Sequence, residues 1–108
     1  MTRGDIVVVA TRGGYTGTPR PALIVQSDWF NETHASITVC PITSDLIDAP
    51  LFRIPVQAGS KTGLQTASQI MIDKVVSVPR QTISRTIGRC PQRELDTVDE
   101  ALRAWFTL

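Results

Sequence analysis

The hydrophobic positions come first in short runs and then change period. DIVVVA at 5–10 is a β-branched run and predicts a strand. TRGGYTGTP at 11–19, with three glycines and a proline, predicts a mobile loop. PALIVQ at 21–26 predicts a second strand, and the polar stretch 27–35, carrying Trp29 and Phe30, a loop. SITVC at 36–40 predicts a third strand, ended by Pro41, and the alternating LFRIPV at 51–56 a fourth. After a turn-rich stretch at 57–63, residues 68–78 hold one or two strands and residues 83–89 a last short one. Beyond Pro91, a residue suited to a first helical turn, Leu95, Val98, Leu102 and Trp105 recur at helical spacing, and Ala101 and Phe106 widen that stripe. Trp105 and Phe106 are therefore expected to complete the core face of a C-terminal helix. Many short strands followed by one amphipathic helix predict a mainly β domain, a small and strongly bent barrel with the helix laid against it.

Composition narrows this picture. The 108 residues make one domain, 42% hydrophobic and 19% charged, which reads as globular rather than disordered. Net charge is only +1, but residues 1–93 carry ten Lys/Arg against six Asp/Glu, or +4, whereas 94–108 carry Arg103 against Glu94, Asp96, Asp99 and Glu100, or −3. The acidity is gathered at one end of a mildly basic body. Two cysteines are too few for a secreted disulfide scaffold, and Cys40, ending an apolar run, is expected to be buried. The start, MTRGD, leads directly into a strand pattern rather than a signal peptide, and no apolar run approaches the roughly 20 residues of a membrane span. The expected compartment is the cytoplasm.

The residue types exclude several chemistries. A single histidine, His34 in a polar loop, rules out a two-histidine acid/base pair within one chain. No His/Cys/Asp cluster has metal-ligand spacing, so no metal or other cofactor is expected. The glycines at 13, 14 and 17 precede a proline and a strand, not a helix, so they form no phosphate loop of the P-loop type, and no GxSxG elbow occurs.

Three segments carry positive signals. In TPRPALIVQ, at 18–26, Arg20 stands between Pro19 and Pro21. Pro19 fixes its own φ, and Pro21 pushes Arg20 out of the helical region, so the arginine is held at a strand entrance with little freedom. A guanidinium held so suits a phosphate; the plain alternative is a surface arginine beside strand-start prolines. In CPITSDL, at 40–46, Thr43 and Ser44 either cap a turn or present hydroxyls to a phosphoryl oxygen. In SQIMIDKV, at 68–75, Asp73 interrupts an apolar pattern and either pairs with an arginine or faces a cleft.

Taken in order, RGDIVVV (3–9), RPALIV (20–25), CPITS (40–44), GL (63–64), SQIMIDKV (68–75) and IGR (87–89) resemble the MazF/PemK family of toxins from toxin–antitoxin modules, over nearly the whole chain. The resemblance implies a single SH3-like β-barrel domain over 1–108 that forms a homodimer. It also implies a metal-independent endoribonuclease acting on single-stranded RNA and blocked by a cognate antitoxin protein, with no membrane partner. Residue by residue, it makes Arg20, Thr43 and Asp73 the catalytic candidates, with Pro21 and Ser44 beside them. Arg12, Tyr15 and Thr16 of the first loop become candidates for RNA contact, through a backbone phosphate and a stacked base. The chain departs from the pattern twice: Met71 stands where some members place an arginine, and the first loop has no histidine. Two other readings stay open. CcdB-like toxins share the architecture but bind DNA gyrase through C-terminal residues, for which Trp105 and Phe106 are candidates. A non-enzymatic SH3-like module would bind a peptide on an aromatic-lined groove, but here only 6% of residues are aromatic.

Overall fold

The structure, a computed structural model, describes residues 1–10 and 18–108. Arg12, Tyr15 and Thr16 lie outside the described residues. Among the described residues there are seven antiparallel strands, β1 (Asp5–Val9), β2 (Arg20–Ile24), β3 (Ser36–Thr43), β4 (Arg53–Val56), β5 (Ser68–Met71), β6 (Val76–Pro79) and β7 (Ile83–Arg89), with a four-residue helix α1 (Asp28–Asn31) between β2 and β3 and a long C-terminal helix α2 (Gln92–Phe106) after β7.

The sheet runs β4-β5-β3-β2-β1-β7, with β6 also paired to β3. β1 is apolar almost throughout because both its faces are covered. Val7 and Val9 join Ala22, Ile24, Ile37 and Val39 on one side. Ile6 joins Leu23, Cys40, Ile42, Ile70 and Ile72 on the other, where Leu95, Val98 and Ala101 of α2 pack.

β3 does not stop at residue 40 but runs through Pro41 to Thr43. Its ladder to β6 ends at Val39 and its ladder to β5 begins at Ile42, so Pro41 falls at a break where a missing N–H is tolerated. The polar stretch after β2 is not all loop either: Ser27 caps α1, its Oγ accepting from the Trp29 N–H at 3.2 Å. Residues 68–78 resolve into β5 and β6, separated by a 3-10 turn at Ile72–Lys74.

Two expectations are corrected. The strand ladder is open, since no pairing among the described residues joins its ends, β4 and β7. What joins them is one backbone bond from the segment after β4, Arg89 N–H to Lys61 C=O at 2.8 Å. Glycine makes that approach possible: a Cβ on Gly63 would stand 2.1 Å from the Ile87 carbonyl oxygen, and one on Gly88 2.3 Å from Thr62 backbone. The second correction concerns α2. Its core face ends at Ala101 and half-buried Leu102, and Trp105 and Phe106 remain 48% and 53% exposed. The stripe outruns the sheet beneath it, and Trp105 meets only the edge of the domain, at the Phe52 ring 6.1 Å away.

Candidate active site

A cleft of about 450 Å³ opens at the β2 entrance. Its apolar surface comes from Val8, Ile42, Leu64 and Ile87, which belong to or abut the core. Its polar wall carries Arg20, Thr43 and Ser44, with Pro19 and Pro21 on either side of the arginine. Two residues distant in sequence meet here because of strand register. β2 and β3 pair Ile24 with Val39, Leu23 with Cys40 and Ala22 with Pro41, and beyond that last pair Arg20 begins β2 and Thr43 ends β3 at the same end of the ladder.

The strand exit at Thr43 is held from below. Gln69, the register partner of Thr43, accepts from the Ile47 N–H at 3.2 Å and donates to the Ile47 carbonyl at 2.8 Å. Thr43 Oγ1 itself accepts from the Asp45 N–H at 3.0 Å, so the turn-capping role is real. A hydroxyl has one donor hydrogen and a second lone pair besides. The cap orients the hydroxyl and leaves its proton to be donated to a ligand.

Charge in the cleft is one-sided. Among the described residues, the charged ones lining it are Arg20 and Arg85. Arg3, Arg53 and Arg89 are neutralised by Asp99, Asp73 and Asp5 at 2.7, 3.2 and 3.0 Å. Among the described residues no carboxylate pairs with Arg20 or Arg85.

Asp73 is not among the residues lining the cleft. It sits in the 3-10 turn after β5, and its Oδ1 accepts from Arg53 Nε at 3.2 Å. Of its two sequence readings, the arginine pair is the one the geometry holds. His34 is exposed, its ring set against the Ser36 backbone. Arg85, Gln65, Thr66 and Ser68 also line the cleft and were not singled out in the sequence. Gln65 and Thr66 carry no motif, and Arg85 lies in a strand whose alternation is broken. Among the described residues no group of three or more His, Cys, Asp or Glu is placed to hold a metal ion, and no helix is long and apolar enough to cross a membrane.

Among the described residues, the cleft at the β2 entrance thus carries two guanidiniums and no carboxylate, a charge balance that suits an anion. The model of the PemK-like, MazF-like toxins of type II toxin–antitoxin systems matches residues 2–106, and the chain belongs to that family. It is 49% identical over 102 residues to a probable endoribonuclease MazF of Mycolicibacterium smegmatis, covering 94% of this chain and 93% of the relative. It is 33% identical to endoribonuclease MazF9 of Mycobacterium tuberculosis, covering 100% and 98% of the two chains. Among solved structures, a MazE–MazF complex from Deinococcus radiodurans superposes with a TM-score of 0.82 at 21% identity, covering 100% of this chain and 96% of that one. The toxin MazF-mt6 of Mycobacterium tuberculosis gives 0.81 at 23% identity, covering 96% and 97%.

Proposed function

We propose that this chain is the endoribonuclease toxin of a toxin–antitoxin pair. It cuts single-stranded RNA at short sequences without a metal ion, leaving 2′,3′-cyclic phosphate and 5′-hydroxyl ends. The observation that carries the reading is the cleft that Arg20 and Thr43 both line, with no carboxylate among its described lining residues. The endoribonuclease names of its relatives support the substrate class.

RNA supplies its own nucleophile, the 2′-hydroxyl. The protein has to align that oxygen and stabilise a pentavalent phosphorane, while water takes the 2′ proton and water returns one to the 5′ oxygen as its bond to phosphorus breaks. Arg20 neutralises the charge that develops on the phosphoryl oxygens. A guanidinium holds its proton tightly and is a poor general acid, so charge stabilisation is its role. Thr43 donates its hydroxyl proton to the same phosphate, and Ser44 and Pro21 shape the cleft beside it. Asp73, engaged with Arg53, takes no part in this mechanism. Arg12, Tyr15 and Thr16 remain candidates for contacts to the flanking RNA.

The working form is a cytoplasmic homodimer inhibited by its antitoxin, a partnership that the MazE–MazF complexes among its structural neighbours support. The half-exposed Trp105 and Phe106 are what a CcdB-like gyrase binder would use. One experiment separates the two: incubation of purified protein with a long RNA in excess chelator, without gyrase, followed by mapping of 5′-hydroxyl ends. Cuts recurring at a short sequence are expected. Intact RNA under these conditions overturns metal-independent cleavage.

A further inference from the structure

β7 breaks its alternation where it passes the cleft. Val9 pairs with Ile83, Val8 with Arg85, Val7 with Thr86 and Ile6 with Gly88. Ser84 and Ile87 are therefore extra residues, one on each side of Arg85–Thr86. In an unbroken strand, Ile83 and Arg85 would share a face. Ile83 packs beside Val7 and Val9, on the side away from Ile6. The insertion of Ser84 resets the alternation. Arg85 thereby comes level with Val8 and lines the cleft instead of following Ile83. Ser84 stays close to the same point of β1, its Oγ donating to the Val8 carbonyl at 3.2 Å.

We infer that Arg85 binds the RNA backbone phosphate next to the scissile one, so that the cleft grips the strand at two successive phosphates. The inference rests on the ribonuclease reading above. Pro21, Val8 and Arg85 form one row across β2, β1 and β7, so two strand spacings, about 9.5 Å, separate the backbone beside Arg20 from that of Arg85. A phosphodiester carries one negative charge, which Arg20 balances. The second guanidinium, rooted two strands away without a carboxylate among the described residues, finds its uncompensated charge at the neighbouring phosphate. Arg85 is thus a substrate-positioning residue, and Arg20 acts at the reacting phosphorus.

The test is steady-state cleavage of a short RNA by the wild type and by Arg85→Ala, both shown to be folded by their melting. The expected result is a KM raised about ten-fold or more, the loss of one charge-assisted contact, with kcat within about two-fold of the wild type. The slope of log affinity against log salt should shallow by about 0.7, one phosphate on a single strand. Arg85→Lys should keep that slope. When a neutral methylphosphonate replaces the phosphate on the correct side of the cut, the wild type and Arg85→Ala should bind alike. A kcat loss at unchanged KM overturns the inference, as does an Arg85→Ala penalty that survives methylphosphonate at every flanking position. A wild type that cuts no RNA overturns the ribonuclease reading itself, an outcome distinct from these.

Discussion

Arg20 and Thr43 illustrate how single residues become a site. Neither side chain is unusual, and what makes them a pair is that one begins and the other ends neighbouring antiparallel strands at the same end of their ladder. Arg20→Ala should lower kcat by about 10²–10³-fold, roughly 3–4 kcal/mol, the usual loss of a preorganised donor to a charged transition state; near-normal cleavage would remove Arg20 from the chemistry. Thr43→Val keeps the shape and removes both the donor and the Asp45 cap. It should reduce kcat, whereas Thr43→Ser, which keeps the hydroxyl, should retain most of it. Asp73→Asn offers the contrast. It should cost roughly 1–2 kcal/mol in urea unfolding, between the limits for surface and fully buried pairs, because Asp73 and Arg53 are only partly exposed. RNA cleavage should persist, and its loss would restore Asp73 to the mechanism. At this scale legibility followed backbone constraint. Arg20 was readable because two prolines mark it in the chain. Arg85 was not, because its face depends on the extra residue Ser84, and bulges leave no mark in the alternation of side-chain types.

At the scale of elements, the strands were legible from β-branched runs, and α2 from its period. Their ends were set by partners the sequence does not name. Pro41 looks like a terminator, yet β3 continues because its neighbour changes from β6 to β5 at that point. Trp105 and Phe106 fit the helical stripe, yet no strand lies under them among the described residues to bury them. The link between the two ends of the sheet was also hidden, because it depends on backbone proximity at Gly63 and Gly88. Gly63 has φ +73 as well as the short approach to Ile87. Gly63→Ala should therefore destabilise the protein by at least about 1–3 kcal/mol, the cost of a strained left-handed residue alone. Chemical denaturation measures this. Leu64 and Gln65 follow directly in the cleft wall, so cleavage should fall too, even well below the melting transition. A fully active, equally stable Gly63→Ala protein would show that this join does not support the wall.

For the molecule as a whole, the two thiols report on the core that carries the cleft. Cys40 and Cys90 are free, buried and part of one apolar cluster beneath α2. Burial is the chief cause that pushes the Cys40 thiol up to about 12 and the Cys90 thiol up to about 11, from an ordinary 9.0. The reactive species is the thiolate. At pH 8 its native population is about 10⁻⁴ for Cys40 and about 10⁻³ for Cys90, so labelling by a thiol reagent should wait for opening of the core and accelerate across the urea transition. Linkage gives the pH dependence its sign. The folded values exceed the unfolded one, so the stabilising contribution is complete below pH 9 and is lost as pH rises towards 11–12. Above pH 9 the unfolded chain holds fewer protons than the native one, and each thiol steepens the fall by at most about 1.4 kcal/mol per pH unit. The decisive quantity is a difference between two proteins that vary only at the thiols. The Cys40→Ala, Cys90→Ala double variant, although less stable near neutrality, should lose stability more slowly with pH than the wild type between pH 9 and 11. Parallel stability curves for the two proteins, or rapid labelling of the native protein at pH 8, would show that the core beneath the cleft is open to solvent.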